Sequence, residues 1–258
     1  MAEIGPNTRL RVSPFYGATI REGVTAFSPY KSTLMPVSYG DPDAEYHRLL
    51  NGVALWDVAV ERQVEITGPD AAHLLCVRDL TGMDVGKGKY VLMCDHRGVL
   101  INDPVVLKHG DHRFWLSIGD NNILMWARAI AAERGLNVDI CEPDVSPLAV
   151  QGPKAEDVVA AIFGDWVRAL KYFWFATATL NGIPLIVQRS GYSKQGGFEL
   201  YLQDGQPVGH RANGGWSPRA QTMIGFGLVR STLHPGDRVE VVRGAYRDAA
   251  TLCARPFF

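Results

Sequence analysis

Two periodicities alternate along the chain, and together they predict a mixed α+β protein. Residues 63–66 alternate polar and apolar, as a half-buried strand does. The stretch 121–134 instead carries Ile123, Trp126, Ala127 and Ile130 on one helical face, with Gly135 as its stop signal. Between these two segments, residues 103–107 and 112–118 predict a pair of antiparallel strands.

The same order of elements then returns. Residues 146–150 predict a strand, 154–163 a helix that Gly164 ends, and 171–175, 183–189 and 198–202 three further strands. This order fits two interleaved α+β units of split βαβ, ferredoxin-like character better than a doubly wound parallel sheet.

The last 54 residues, 205–258, have a different composition. They contain seven arginines, eight glycines and no lysine, and only 222–228 shows a clean periodicity. We therefore expect this segment to be an aberrant or poorly ordered tail.

Composition and net charge limit the classes of molecule that this protein is expected to bind. In 258 residues, 47% are hydrophobic and 21% are charged, which is ordinary for one large or two modest globular domains. The formal net charge of −1 gives no broad basic field, so neither nucleic acid nor a membrane is expected as a partner. Nothing in the sequence indicates an oligomeric state.

Cysteine usage and the N-terminus predict a cytoplasmic protein. The four cysteines, at 76, 94, 141 and 253, have no regular spacing, and we interpret them as reduced thiols. Residues 1–12 lack the apolar core of a signal peptide, and no apolar run approaches the ~20 residues of a membrane helix.

A glycine-rich segment, residues 191–201, is the first candidate for function. It predicts a turn between two strands that places Glu199 and Tyr201 on one face of the second strand. Because glutamate prefers the surface, a plain hairpin with Glu199 in water is the favoured interpretation of this segment taken alone.

The second candidate is a pair of residues thirteen positions apart, Tyr90 and Asp103. A hairpin could bring the phenol and the carboxylate to the same end of a sheet. The alternative is that 102–104, Asn-Asp-Pro, only ends a strand.

Aromatic residues form the third candidate. Strand alternation would place Tyr172 and Trp174 on one face and Phe173 and Phe175 on the other, with Trp166 nearby. Core packing is the ordinary explanation of such a cluster, and an aromatic cage that binds a cationic group is the more specific alternative. No metal is expected, because the seven histidines form no ligand pair at a useful spacing.

These features occur in an order that resembles the T-protein (aminomethyltransferase) family of the glycine cleavage system. A tyrosine in G-x-x-x-Y, Tyr90, is followed by Asp103 and later by the glycine-rich segment that ends in Glu199. The resemblance is greatest to one branch, the tetrahydrofolate-dependent dimethylsulfoniopropionate demethylases. It spans about residues 13–205 and rests on long tracts: 55–66, 101–105, 142–154, 171–175 and 193–199.

The resemblance implies a discontinuous folate-binding fold. One domain would comprise 1–53 plus 144–204 and the other 54–143, and the C-terminal β-barrel domain of the family would be missing. It also implies the roles of individual residues. Asp103 would be catalytic, and tetrahydrofolate would be bound by Tyr90, Asp103, Tyr192 and Glu199. The methyl donor would contact Trp166, Phe173, Trp174, Tyr192 and Tyr201.

The implied enzyme transfers a methyl group from a small sulfonium or methylamine-type donor to tetrahydrofolate. For dimethylsulfoniopropionate the products would be methylmercaptopropionate and 5-methyltetrahydrofolate. An aminomethyltransferase, or an N- or O-demethylase of the same family, is an alternative. A folate-binding relative of the iron–sulfur type is disfavoured, because residues 193–197 lack a cysteine. A truncated, frameshifted or inactive copy is a further alternative suggested by the tail.

Overall fold

Nineteen strands occur in the part of the chain that the computed structural model describes, which is residues 10–30, 32–73, 78–118, 123–202, 209–217, 222–229, 234–243 and 246–253. Along the chain they are β1 (Arg11–Val12), β2 (Ala26–Tyr30), β3 (Thr33–Ser38), β4 (Ala54–Asp57), β5 (Arg62–Thr67), β6 (Gly88–Tyr90), β7 (Met93–Cys94), β8 (Leu100–Asn102), β9 (Val105–Gly110), β10 (Arg113–Ile118), β11 (Asp139–Cys141), β12 (Ser146–Gln151), β13 (Phe175–Leu180), β14 (Ile183–Gln188), β15 (Gly197–Leu202), β16 (Gly209–Ser217), β17 (Thr222–Val229), β18 (Arg238–Arg243) and β19 (Tyr246–Thr251).

Four α-helices accompany them: α1 (Tyr16–Arg21), α2 (Pro42–Asn51), α3 (Ile123–Glu133) and α4 (Ala155–Phe163). Short 3-10 turns lie at Ala71–His73 and Asp165–Ala169. Within the described ranges, no helix is both long enough and apolar enough to cross a bilayer.

Two five-stranded antiparallel sheets form the centre of the fold. The first sheet has the order β11-β5-β10-β9-β6, and the second has the order β13-β14-β15-β12-β4. A smaller sheet, β1-β3-β2, comes from the N-terminal part of the chain. Because β4 precedes the first sheet in sequence and pairs with β12 of the second, segments on both sides of the first sheet build the second.

One face of each sheet is covered by a helix. Helix α3 buries Ile123, Ala127 and Ala131 in an apolar cluster with the first sheet, which includes Val64, Ile66 and Leu116. Helix α4 buries Ala155, Val159 and Ala160 against Val187, Phe198 and Leu200 of the second sheet. Strand alternation then leaves the opposite faces of the two sheets to face each other.

The facing sides of the two sheets pack through a third apolar cluster. It joins first-sheet residues to second-sheet residues: Leu107, Trp115, Val145, Phe175, Ile186 and Tyr201. We call the space between these two sides, including the polar residues described below, the intersheet cleft.

The α+β class predicted from the sequence is confirmed, and most central elements lie where periodicity placed them. The run 171–175 is the exception. Phe173 adopts φ +65°, so the chain turns there and strand β13 begins only at Phe175. Aromatic residues favour strands, but a backbone with positive φ cannot continue one.

Secondary structure is also present in the described part of the tail. Its described residues form two hairpins, β16 with β17 and β18 with β19. The clean periodicity noted at 222–228 falls within β17.

At Gly88, strand β6 of the first sheet contacts the segment that leads into β13 of the second. The Gly88 N–H donates to the Phe173 carbonyl, and Phe175 N–H donates to the Gly86 carbonyl at 2.8 Å. A Cβ at position 88 would lie 2.4 Å from Gln188 Nε2 and 3.0 Å from the Phe173 oxygen. A side chain at position 88 would therefore displace the buried Gln188 amide and press against the Phe173 carbonyl.

Replacing Gly88 with alanine should therefore destabilise the protein. We expect Gly88→Ala to lower the free energy of unfolding by ~1–3 kcal/mol, the usual cost of overpacking. Gly82 is the matched control, because a Cβ there has nothing within 4 Å and its φ is ordinary. Gly82→Ala should change stability by less than about 0.5 kcal/mol in urea titration. Equal effects of the two substitutions would contradict the close approach.

Candidate functional site

A polar network occupies part of the intersheet cleft, with the Tyr201 hydroxyl at its centre. This hydroxyl lies 2.8 Å from Glu199 Oε2, 3.1 Å from Gln188 Oε1 and 3.4 Å from Ser117 Oγ. Ser117 Oγ in turn accepts from Gln63 Nε2 at 3.2 Å. Side chains from β14 and β15 of the second sheet and from β10 of the first thus meet at a single phenol, and Ser117 extends the network to β5; Tyr201 itself is 1% exposed.

Two atoms of this network have no partner among the described residues. They are Gln188 Nε2, a donor, and Gln63 Oε1, an acceptor. Both side chains are fully buried, with 0% exposure. A buried polar atom without a partner costs free energy, so a donor and an acceptor left open in the same cleft indicate a place for a polar ligand.

Two glutamates, Glu199 in the cleft and Glu61 just before β5, influence each other electrostatically. Burial raises the pKa of Glu199, while the hydrogen bond from Tyr201 acts to lower it. Burial, together with the nearby Glu199 charge, raises the pKa of Glu61 to about 8. Neither carboxyl has an ion-pair partner among the described residues. The cleft therefore carries acidic groups with no cation to balance them.

Glu199 was predicted to face water on the residues alone, and the structure places it inside the cleft instead. The cause is the register of β15, in which Glu199 pairs with Ala149 and Gln188 on the inner face of the second sheet. Glu61 was not predicted. It lies in the turn that precedes β5, where its N–H donates to the Val58 carbonyl at 2.9 Å, so strand alternation could not have placed it.

The glycine-rich segment owes its glycines to a buried amide, that of Gln151. A Cβ at Gly191 would lie 2.2 Å from Gln151 Oε1, and one at Gly197 would lie 2.4 Å from Gln151 Nε2. Ser193 Oγ donates to Gln151 Oε1 at 2.7 Å. The loop therefore wraps tightly around one side chain, and this fixes the start of β15 and hence Glu199.

Tyr90 and Asp103 are in contact, as a hairpin was predicted to allow. The Tyr90 hydroxyl donates to Asp103 Oδ2, and this bond raises the pKa of the phenol above its ordinary value. Tyr90 pairs with Val105, and Gly88 lies two residues before it on the same face of β6. The pair therefore sits one side-chain step, about 7 Å, along β6 from the point where Gly88 meets Gln188.

The remaining predicted residues do not share one location. Phe173 donates its N–H to the Arg189 carbonyl at 2.7 Å, and Trp174 lies beneath the Lys87 ammonium at 5.4 Å. Phe173 also accepts the N–H of Gly88, and Trp174 forms an isolated bridge with Lys87, so both residues border β6. Trp166 follows α4 on the outer side of the second sheet, where its Nε1 donates to the Phe163 carbonyl at 2.6 Å. Tyr192 is 92% exposed in the glycine-rich turn.

Farther along β9, His109 completes the cleft. Its ring centroid lies 4.1 Å from that of Trp115 and 4.9 Å from that of Phe175, and its Nε2 is buried without a described partner. Burial, assisted by the nearby Arg113, lowers the pKa of His109 to about 3. The imidazole is therefore neutral at ordinary pH and adds no positive charge to the cleft.

Fold and site together define a class: an α+β protein that holds an acidic, hydrogen-bonding cleft between two antiparallel sheets. Comparison with known proteins makes this specific. The chain belongs to the glycine cleavage T-protein family, because the GCVT N-terminal domain model matches residues 16–210.

Curated relatives agree with this assignment. The chain is 43% identical over 206 residues to the dimethylsulfoniopropionate demethylase DmdA of Ruegeria pomeroyi, a match covering 79% of this chain and 57% of that protein. It is 29% identical over 209 residues to an aminomethyltransferase of Symbiobacterium thermophilum, covering 76% of this chain and 56% of that protein. The chain thus spans little more than half the length of these relatives.

A solved structure supports the fold. The glycine cleavage system aminomethyltransferase T from Bartonella henselae superposes with a TM-score of 0.67, covering 96% of this chain and 98% of that one at 16% sequence identity.

The tail requires a correction. The model of the T-protein C-terminal barrel domain matches residues 185–258. The expectation that the barrel domain is missing was therefore wrong, because the tail carries barrel-domain sequence. A match of this kind also argues against an out-of-frame tail.

The raised pKa of Glu61 predicts how stability depends on pH. The folded state holds this proton up to about pH 8, whereas an ordinary glutamate loses it near 4.5. Stability is therefore lost as pH rises between these values. We expect Glu61→Gln to gain ~1–3 kcal/mol of unfolding free energy relative to wild type between about pH 5 and about pH 8.5.

Urea titrations at the two pH values measure this gain. The exposed Glu133 of α3 offers a control for the loss of one charge, through Glu133→Gln. A wild-type-to-variant difference that is the same at both pH values for Glu61→Gln would show that Glu61 titrates normally.

Proposed function

We propose that this chain is a tetrahydrofolate-dependent methyltransferase that demethylates dimethylsulfoniopropionate. The single observation that carries the proposal is the set of open hydrogen-bonding groups around Tyr201 in the intersheet cleft. The similarity to a dimethylsulfoniopropionate demethylase at 43% identity supports the choice of donor.

The groups in the cleft fit the edge of a pterin ring. Such a ring presents neighbouring N–H donors, which a carboxylate such as Glu199 accepts in parallel. It also presents acceptors for an amide N–H and donors for an amide carbonyl, the two kinds of atom left open at Gln188 and Gln63. We assign Glu199 as the pterin anchor, held in place by Tyr201.

Tetrahydrofolate, when bound, supplies N5 as the atom that accepts the methyl group, giving 5-methyltetrahydrofolate. The departing thioether is neutral, so no side chain has to protonate it. Positioning and electrostatics are then the main contributions of the protein. Asp103 can accept the proton released from the acceptor nitrogen, and the Tyr90 hydroxyl orients its carboxylate.

Phe173 and Trp174 are the aromatic residues whose location suits a donor site, because they border β6 beside Gly88. The turn at Phe173, with its positive φ, is the kind of strained backbone found at binding sites. Trp166 lies on the outer side of the second sheet and Tyr192 in the exposed glycine-rich turn, so neither residue borders β6. We therefore give both less weight as contacts of the donor.

Aminomethyl transfer is the second candidate. It is favoured by the similarity to aminomethyltransferases at 29% identity and by the matching fold. Both candidates use the same acceptor site, so the donor alone separates them.

A donor assay distinguishes the two. Purified protein is incubated with tetrahydrofolate and one donor at a time: dimethylsulfoniopropionate, dimethylglycine as a methylamine, or aminomethylated lipoyl protein. The proposal predicts 5-methyltetrahydrofolate with the sulfonium. Product from the amine alone, or methylenetetrahydrofolate from the lipoyl protein, would exclude it.

A binding experiment tests the acceptor site separately. Glu199→Ala should weaken tetrahydrofolate binding by ~1.5–3 kcal/mol, because a charge-assisted hydrogen-bonded group is lost. Calorimetry or intrinsic fluorescence measures the dissociation constant. Glu133→Ala on the exposed side of α3 serves as the control. Unchanged affinity in Glu199→Ala, with unchanged thermal stability, would remove Glu199 from its assigned role.

A further inference from the structure

Residues 168–174, which we call the aromatic segment, lead into β13 and carry Phe173 and Trp174. The backbone of Arg189, directly after β14, holds the end of this segment. The Arg189 N–H donates to the Trp174 carbonyl at 2.9 Å, and the Arg189 carbonyl accepts from the Phe173 N–H at 2.7 Å. These backbone hydrogen bonds fix the end of the segment that borders β6.

The side chain of Arg189 holds the beginning of the same segment. Its Nη1 donates to the carbonyls of Arg168 and Leu170, each at 3.2 Å, and its Nη2 donates to Glu156 Oε2 at 2.6 Å. Arg168 and Leu170 lie where a 3-10 turn ends, and the carbonyls at such an end lack partners within the turn. The guanidinium therefore caps this end, and the Glu156 carboxylate of α4 fixes its direction.

The guanidinium itself lies away from the intersheet cleft. Its central carbon is 5.5 Å from the ring centroid of Phe198, which packs in the apolar cluster beneath α4. Gln188, the preceding residue, instead reaches Tyr201 in the cleft, because side chains alternate along an extended chain. Arg189 thus acts on the cleft through the aromatic segment and not by contact with a ligand there.

The turn at Phe173 depends on such support. Its φ of +65° is unfavourable for a residue with a Cβ, and strained backbone persists only where the surrounding structure over-determines it. The Phe173 carbonyl is held from the first sheet by the Gly88 N–H, and the Phe173 N–H is held from the second by Arg189. Because the Arg189 side chain also holds the beginning of the segment, its loss would leave the turn tied at one end only.

We propose that Arg189 is a positioning residue for the methyl donor, because it keeps Phe173 and Trp174 beside β6 by holding the aromatic segment at both ends. This inference rests on the proposed function, which places the donor against these two aromatic residues. The acceptor side is held differently, since β15, with Glu199 and Tyr201, is paired with β12 on one side and β14 on the other. The Arg189 side chain should therefore govern affinity for the donor and leave affinity for tetrahydrofolate unchanged.

The size of the effect follows from the population of the ordered segment. When only a fraction of the molecules has a competent site, the apparent dissociation constant rises by the inverse of that fraction. A segment that is ordered in about one molecule in ten would therefore weaken donor binding by about 10-fold.

Hydrogen exchange followed by mass spectrometry measures the order of the aromatic segment without any ligand. Arg189→Gln should speed exchange in peptides covering 168–174 by about 10-fold, while peptides from β15 exchange as in wild type. Arg168→Gln is the matched control. It removes a guanidinium bound to the same Glu156 carboxylate, at 3.0 Å, but the side-chain partners described for Arg168 are carboxylates and not carbonyls of the segment. Since exposed ion pairs contribute little, this control should exchange like wild type.

Titration calorimetry then measures each ligand in turn. Arg189→Gln should weaken dimethylsulfoniopropionate binding by about 10-fold and keep the tetrahydrofolate dissociation constant within about 2-fold of wild type. Arg189→Lys should show a smaller loss in the same direction, because an ammonium keeps the charge but cannot span two carbonyls and a carboxylate as the planar guanidinium does. This variant carries the test if Arg189→Gln does not fold. A role in stability alone would weaken both ligands together or neither, so the split between them is the diagnostic result.

Each of the following results would overturn the inference: unchanged exchange in 168–174, unchanged donor affinity, an equal loss of affinity for both ligands, or a wild type that does not bind dimethylsulfoniopropionate. The proposed function is judged separately, by formation of 5-methyltetrahydrofolate in wild type. If Arg189→Gln selectively weakens sulfonium binding but wild type yields no methylated folate, the function fails and the inference stands. If methylated folate forms while Arg189→Gln keeps wild-type donor affinity, the reverse holds.

Discussion

The Tyr201 hydroxyl is the interaction on which the arrangement of the two sheets depends. It reaches Glu199, Gln188 and Ser117, and through Ser117 it reaches Gln63, so four strands share one hydrogen-bonded group. Polar groups buried between sheets are tolerated only when they are paired. The Tyr201 hydroxyl thus links the two sheets beside the apolar cluster that packs between them.

This constraint also explains where the chain uses glycine. Gly88 lets β6 approach the Gln188 amide, and Gly191 and Gly197 let the loop close around the Gln151 amide. In both places a buried glutamine takes the room that a side chain would need. The glycine-rich segment is therefore part of the packing first, and its consequence for the site is the exact position it gives to Glu199 at the start of β15.

The sequence predicted what depends on local order. The helices at α3 and α4 follow from apolar spacing, and the contact between Tyr90 and Asp103 follows from a hairpin of the right length. It could not predict Gln63, Gln151 and Gln188, because a glutamine acquires its role from strands far away in the chain. The turn at Phe173 could not be predicted for a related reason: its positive φ accompanies a bond that its carbonyl accepts from the distant Gly88, against the strand preference of aromatic residues.

The acidic pair goes against what folding alone would favour, and this is the strongest sign that the cleft is a site. A core selected only for stability would replace Glu61 with an apolar residue or provide it with an arginine, as Glu65 has in Arg113. Instead the protein keeps a second carboxyl, Glu61, near enough to Glu199 to be influenced by its charge, and burial raises the pKa of both groups. Open amide atoms at Gln63 and Gln188 add to that cost. Because a ligand with N–H donors and polar acceptors would pair with the Glu199 carboxylate and with the open amide atoms, the cost of burying these groups and the affinity for such a ligand have the same physical origin.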